Sequence, residues 1–182
     1  MANLAEEVTA ELERLGIPYC VIGAVALAAH GAPRGTMDFD LFALSTEVLD
    51  PAVWSRLADR TGVDVRRGDP QDPLLAVVRF TGEDAAEIVD IVVGRGGWQR
   101  GVLARATAVR IGTRELPVAT AADLVLLKLY AGGPQDAWDI EQLLGACEPG
   151  VVGEVDARVE ALPSDARELW ARLRGSTTRG GD

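Results

Sequence analysis

With one histidine, one lysine and two cysteines in 182 residues, the sequence excludes several chemistries before any motif is read. Cys20 and Cys147 make neither a disulfide framework nor a metal-spaced pair, and zinc chemistry would need ligands that the chain does not have. Both read as core residues. A Ser/His/Asp or Cys/His mechanism would have to run through His30 alone, and no nucleophile-elbow pattern accompanies it. Its plainer role is to close a helix before Gly31. No apolar run is long enough to cross a bilayer, since "YCVIGAVALAAHGA" stops early and carries a His and glycines. The N-terminal "MANLAEEVTAELERLG" is acidic and amphipathic where a signal peptide is basic and then apolar. The expected location is the cytoplasm, with no membrane partner.

Positive charge is scarce as well: 18 Lys and Arg stand against 28 Asp and Glu, a net charge of −10. That argues against broad, non-specific nucleic-acid binding. One stretch runs the other way. From Gly94 to Arg114 there are Arg95, Arg100, Arg105, Arg110 and Arg114 with no acid among them. A solvated surface is the plainer reading of that stretch, and a phosphate-facing patch for an RNA or tRNA acceptor is the functional one.

What is present is ample apolar content, 48%, enough for one well-filled domain. Leu4, Val8, Leu12 and Leu15 at helical spacing, with Gly16 after them, predict an amphipathic helix. "PYCVIG" predicts a short buried strand, "AVALAAHG" a helix entered directly from Gly23, and "MDFDLFA" a second strand. Residues 46–61 read as mostly helical, starting near Pro51. "DPLLAVVRFTG" and "AAEIVDIVVG" read as two strands separated by a polar turn, and "ATAVRIGTRELPVAT" as a hairpin turning near Gly112. The rest reads as helical: "TAADLVLLKLYAG" behind a Thr cap, "PQDAWDIEQLLGAC" with Pro in its first turn, and one or two more helices in "VDARVEALPSDARELWARLRG". Strand and helix signals alternate, so the expected class is α/β or α+β. The expected organisation is a core over 1–119, a helical region over 120–174 packed on it, and a disordered tail over 175–182.

The chemistry is concentrated in "HGAPRGTMDFDLF". Residues two apart in a strand face the same way, roughly 6–7 Å apart, so Asp38 and Asp40 share a face among Phe39, Leu41 and Phe42. Two carboxylates so placed repel, and a divalent ion bridging them is the cheapest relief, with Mg²⁺ favoured by all-oxygen ligands. D-x-D alone is a weak signal, shared with metal-dependent glycosyltransferases and aspartyl-phosphate phosphatases. Asp90 sharpens it, lying mid-strand in "EIVDIVV" where burial without a partner is costly. The competing reading for Asp90 is a salt bridge to one of the arginines. Gly23 and Ala24 stand at a strand-to-helix junction where backbone N–H groups meet phosphates, although a tight turn needing Gly would look the same. Lys128 is the one lysine, on an apolar helix, in a chain that otherwise writes Arg. A compact ammonium kept for a phosphate is the functional reading, and a snorkelling surface lysine is the plain one. Asp136 and Asp139, three apart on the next helix, read either as acids that orient Lys128 or Arg34 or as ordinary helix-start acids.

Together, "IGAVALAAHGAPRGTMDFDLF", "VDIVV" and "DLVLLKLYAGGPQDAWDIEQLL" resemble the nucleotidyltransferase superfamily, and "HG..R.T.D.D" resembles its branch of AbiEii-type abortive-infection toxins and related small bacterial nucleotidyltransferases. The resemblance covers roughly residues 19–144. It implies a DNA-polymerase-β-like mixed sheet flanked by helices, two Mg²⁺ ions (Mn²⁺ as a substitute) and an NTP donor whose NMP moves to an acceptor hydroxyl, with a toxin–antitoxin or phage-defence setting and an antitoxin protein as partner. It assigns Asp38, Asp40 and Asp90 to catalysis and metal binding, and Gly23, Ala24, Arg34, Thr36 and Lys128 to the nucleotide. Ala24 stands where Gly or Ser is usual, and "AGGPQD" lacks the basic residue that often precedes the paired acids. A non-catalytic or antitoxin-like module of the same fold is the alternative from another class. Sugar transfer through D-x-D leaves Lys128 and Gly23 unexplained.

Overall fold

The computed structural model describes residues 3–35, 38–83 and 86–177. Helix α1 (Leu4–Leu15) is opened by Asn3 in a reciprocal capping box with Glu6 and closed by Gly16 at φ 69°, the backbone state that glycine adopts at least cost. Strand β1 (Tyr19–Val21), helix α2 (Gly23–Ala29) and strand β2 (Asp38–Ala43) follow. Strands β3 (Thr61–Arg67), β4 (Ala76–Gly82) and β5 (Ile88–Val93) come next, then the short helix α3 (Arg100–Arg105) and the hairpin β6 (Thr107–Ile111) and β7 (Arg114–Val118). Helices α4 (Ala121–Ala131), α5 (Pro134–Ala146), α6 (Gly150–Asp156) and α7 (Ser164–Thr177) complete the described chain.

The described strands form one seven-stranded mixed sheet in the order β3-β4-β5-β2-β1-β7-β6. β5 runs parallel to β2, and β7 parallel to β1, while the remaining neighbours are antiparallel. The alternation read in "MDFDLFA" sorts the two faces. Leu41 and Ala43 join Ile91, Val93, Val78 and Phe80 in a fully buried layer, whereas Asp38 and Asp40 point to the opposite face, where they are half-buried. One continuous apolar core takes residues from both the sheet and helices α4 to α7, among them Leu124, Leu129, Ile140 and Trp170. Each such side chain contributes roughly 1.5–3 kcal/mol by leaving water. Among the described residues no helix is long and apolar enough to cross a membrane.

Residues 46–61 differ from the helix expected there. Two 3₁₀ turns, Thr46–Leu49 and Pro51–Trp54, occupy the segment, because Pro51 removes an N–H and holds Asp50 in extended backbone between them. Thr61 already belongs to β3, a strand whose Gly62, Asp64 and Arg66 hid its alternation with Thr61, Val63 and Val65. Helix α7 runs to Thr177, three residues into the stretch 175–182 that was expected to be disordered; residues 178–182 lie outside the described residues.

Candidate active site

Register across the sheet builds the site. Asp40 on β2 pairs with Asp90 on β5, and Asp90 pairs with Arg79 on β4. Paired residues of adjacent strands project to the same face, so Arg79, Asp90 and Asp40 form a row across three strands. Arg79 closes on Asp90 with both arms of its fork, Nε donating to Oδ1 at 2.9 Å and Nη2 to Oδ2 at 2.6 Å. Asp90 is 7% exposed. The salt bridge weighed against the catalytic reading of Asp90 is therefore there, and its partner is Arg79. That contact raises the guanidinium's pKa further still.

Asp40 is in the opposite condition. No side-chain hydrogen bond or ion pair to it is seen among the described residues. Burial pushes its carboxyl up to about 6, with Asp90 and then Asp38 adding to the rise and Lys128 and Arg34 opposing it. A carboxylate with that surplus of negative neighbours is short of a cation. Gly23 leaves room for it: a Cβ on Gly23 would lie 2.0 Å from Asp40 Oδ2, and Gly23 sits at φ 62°. Both facts exclude an L side chain there. The demonstrable function of Gly23 is thus close approach to Asp40. Helix α2 behind it has seven residues and no side-chain cap. Ala24 is buried and adds only a methyl.

The helical pair supplies the cations. Thr120 caps α4 and Gly132 ends it in a left-handed turn, so α5 folds back and sets its first acids beside the end of α4. Lys128 Nζ donates to Asp136 Oδ1 at 3.0 Å and to Asp139 Oδ2 at 2.6 Å, and Arg34 Nη1 donates to the same Asp139 Oδ2 at 2.9 Å. Asp139 is 1% exposed, and its Oδ1 has no hydrogen-bond partner among the described residues. The two acids thus hold both Lys128 and Arg34. Thr36 lies outside the described residues. A mostly apolar pocket of about 170 Å³ adjoins this cluster, with Asp40, Gly23, Lys128 and Asp136 at its wall and Phe42 and Tyr130 among its apolar lining.

The arginine stretch breaks up. Arg95 donates to the backbone carbonyls of Asp69 and Asp72, Arg105 clamps the fully buried Asp123 on α4 at 2.6 and 3.0 Å, and Arg114 binds Thr9 and Glu13 of α1. Arg100 and Arg110 are exposed. Three of the five arginines therefore have protein partners, Arg95 among them while remaining exposed.

The solution structure of the antibiotic-resistance factor ANT(2″)-Ia matches this chain with a TM-score of 0.52 at 16% identity, over 96% of this chain and 91% of that one. The crystal structure of ANT(2″)-Ia in complex with adenylyl-2″-tobramycin gives 0.50 at 14% identity, over 96% and 97%. The fold is the nucleotidyltransferase fold. A structure of the lincosamide antibiotic adenylyltransferase LnuA, lincomycin-bound, gives 0.48 at 14% identity, over 75% of this chain and 92% of that one. No family model matches the chain, and no curated protein matches it. What the two ANT(2″)-Ia structures share with it at these identities is the fold, with the mixed sheet and flanking helices expected of it.

Arg79 is the site residue that the sequence reading did not single out. The signal was available: a hairpin centred on the polar turn of "TGEDAAEI" sets 79 opposite 90, and Arg79 is the lone charge in "AVVRFTG".

Proposed function

We propose that this chain transfers a nucleoside monophosphate from an NTP to an acceptor hydroxyl and releases pyrophosphate. The observation that carries the reading is Asp40: a mid-strand carboxylate kept clear by Gly23, crowded by two other carboxylates and pushed up to about 6.

A divalent ion fits Asp38 and Asp40. Their donor atoms are all oxygen, which suits Mg²⁺, an ion commonly held by one or two carboxylates plus substrate phosphates, and the charge deficit at Asp40 is the deficit such an ion fills. The ion would neutralise phosphate charge as it develops. Among the described residues no three His, Cys, Asp or Glu converge as a metal cluster, and both oxygens of Asp90 are held by Arg79. The residues present thus fit one ion, while a second would have to share Asp90 with Arg79.

The chain's own groups take the remaining tasks. Lys128 and Arg34, fixed by Asp139, supply positive charge for the triphosphate, and the apolar pocket beside Asp40 receives the base. The acceptor oxygen bonds to the α-phosphorus while the bond from that phosphorus to the bridging oxygen breaks, and pyrophosphate leaves with the bonding pair. A carboxylate has about four lone-pair sites. Asp90, with two of them given to Arg79, keeps others to accept the hydroxyl proton. An RNA acceptor loses part of its support, because Arg105 and Arg114 are engaged by Asp123 and by α1.

The test is NTP binding by calorimetry and thermal shift, with Mg²⁺ and with EDTA, in the parent and in Asp38→Asn. The reading expects stabilisation by NTP that requires Mg²⁺ and is lost in the variant. Equal stabilisation in EDTA would count against it.

A further inference from the structure

In the row Arg79–Asp90–Asp40, the carboxylate that a second ion would need, Asp90, is held by a guanidinium. We propose that Arg79 is the resident cation of the acceptor side, so that the chain works with a single divalent ion, held by Asp38 and Asp40. The inference rests on the nucleotidyl-transfer reading above and concerns how that site is neutralised.

Four observations support it. Strand register fixes Arg79 opposite Asp90 and Asp90 opposite Asp40, so the contact follows from the pairing of β4 with β5 and is not a chance meeting of long side chains. The fork is bidentate at 2.9 and 2.6 Å, the geometry in which a guanidinium holds a carboxylate most firmly. The Asp90 side chain is only 10% exposed, whereas that of Arg79 is 38% exposed, so the carboxylate sits in the protein while the guanidinium still reaches solvent. Admitting a metal in its place would forfeit this bidentate contact to a carboxylate that is little exposed. Finally, the guanidinium also feels the fields of Asp38 and Asp40, while Asp40 has no side-chain hydrogen bond or ion pair among the described residues.

Arg79 is a positioning residue in this account. It holds Asp90 in one orientation with lone pairs left for the acceptor hydroxyl, and it occupies the place of an ion without needing to be loaded.

Counting ions tests this directly. Mn²⁺ bound to the full chain is measured by electron paramagnetic resonance in the presence of α,β-methylene-ATP, a donor analogue whose α-phosphorus cannot be transferred. The expected result is one Mn²⁺ per chain beyond that carried by free nucleotide. Arg79→Gln, which keeps a hydrogen-bonding side chain but loses the charge, should take two. Two ions in the parent would overturn the inference and leave the nucleotidyl-transfer reading standing. No nucleotide-dependent Mn²⁺ at all would overturn both. A folded Arg79→Gln that still takes one ion would show that Arg79 does not exclude the second, and so would also overturn it. If Arg79→Gln fails to fold, the count on the parent decides alone.

Discussion

Two groups of acids border the pocket beside Asp40, and they are neutralised in different ways. On the helices, Asp136 and Asp139 meet Lys128 and Arg34 at 2.6–3.0 Å, two acids to two bases. On the sheet, Asp38, Asp40 and Asp90 share Arg79, which is committed to Asp90. The helical acids are each in direct contact with a cation, whereas Asp40 on the sheet has no side-chain hydrogen bond or ion pair among the described residues and its carboxyl is pushed up to about 6. Burying Asp40 beside other acids has no stability benefit, so under the proposed function Asp40 is where an external cation would bind. The helical group acts as fixed machinery, aiming two cations by means of one buried carboxylate.

The largest effect that would sharpen this contrast is on chemistry. Asp90→Asn should lower transfer on the order of 10²–10⁴-fold, the range typical of a positioned acid–base group, while most Mg²⁺-dependent NTP affinity survives because Asp38 and Asp40 are untouched. Calorimetry and labelled-NMP transfer on the same preparation separate the two. Parental transfer by Asp90→Asn would reduce Asp90 to a structural partner of Arg79.

Next come the helical acids. Asp139→Ala removes a carboxylate 1% exposed that two cations share, and the expected loss is roughly 3 kcal/mol of unfolding free energy, because breaking a buried pair leaves charge uncompensated. Asp136→Ala, at a side chain 24% exposed, should cost under about 1 kcal/mol. Urea denaturation measures both. Equal small losses would mean that the helical cluster is a solvated surface network.

Asp40 should respond in the opposite sense. Its folded pKa is raised from 3.8 to about 6, so the protonated form is favoured in the fold. Its contribution to stability is fully present below about pH 4 and is lost as pH rises through 6. In metal-free buffer Asp40→Asn should therefore stabilise the protein at pH 7, by up to roughly 2–3 kcal/mol on the pKa difference, and should flatten the decline between pH 4 and 7, while abolishing Mg²⁺-dependent NTP binding. A destabilised Asp40→Asn would contradict the surplus of negative charge.

The smallest effect concerns the arginine stretch. Arg100→Ala with Arg110→Ala should change stability by no more than about 0.5 kcal/mol, as exposed positions do, whereas Arg105→Ala should be markedly destabilising because Asp123 is fully buried. If the exposed pair instead carried salt-dependent RNA binding, the double variant would flatten that dependence.

Much of this was legible in the sequence, and for identifiable reasons. Period-two alternation in "MDFDLFA" set Asp38 and Asp40 on one face; Thr120, Gly132 and Pro134 gave the boundaries of α4 and α5; and a lone lysine on an apolar helix pointed to a constrained ammonium. The failures have physical causes as well. Residues 46–61 carry helical composition, but Pro51 divides them into two 3₁₀ turns. β3 was hidden by Gly62 and its charges. For Arg95, Arg105 and Arg114 the sequence left a solvated surface and a phosphate patch open, because sequence proximity does not reveal that each meets a different partner: exposed loop carbonyls, Asp123 and α1. The partner of Asp90 depended on strand register, which a hairpin turn fixes but composition does not.

The most direct test of the central claim uses one NTP labelled in two ways, at the α-phosphorus or at the γ-phosphorus, incubated with the protein, Mg²⁺ and a fractionated cell extract. Nucleotidyl transfer predicts that α-label becomes attached to an acceptor, that γ-label leaves only as pyrophosphate, and that Asp40→Asn abolishes both. Attachment of γ-label, or α-label attached equally by the parent and Asp40→Asn, would contradict it.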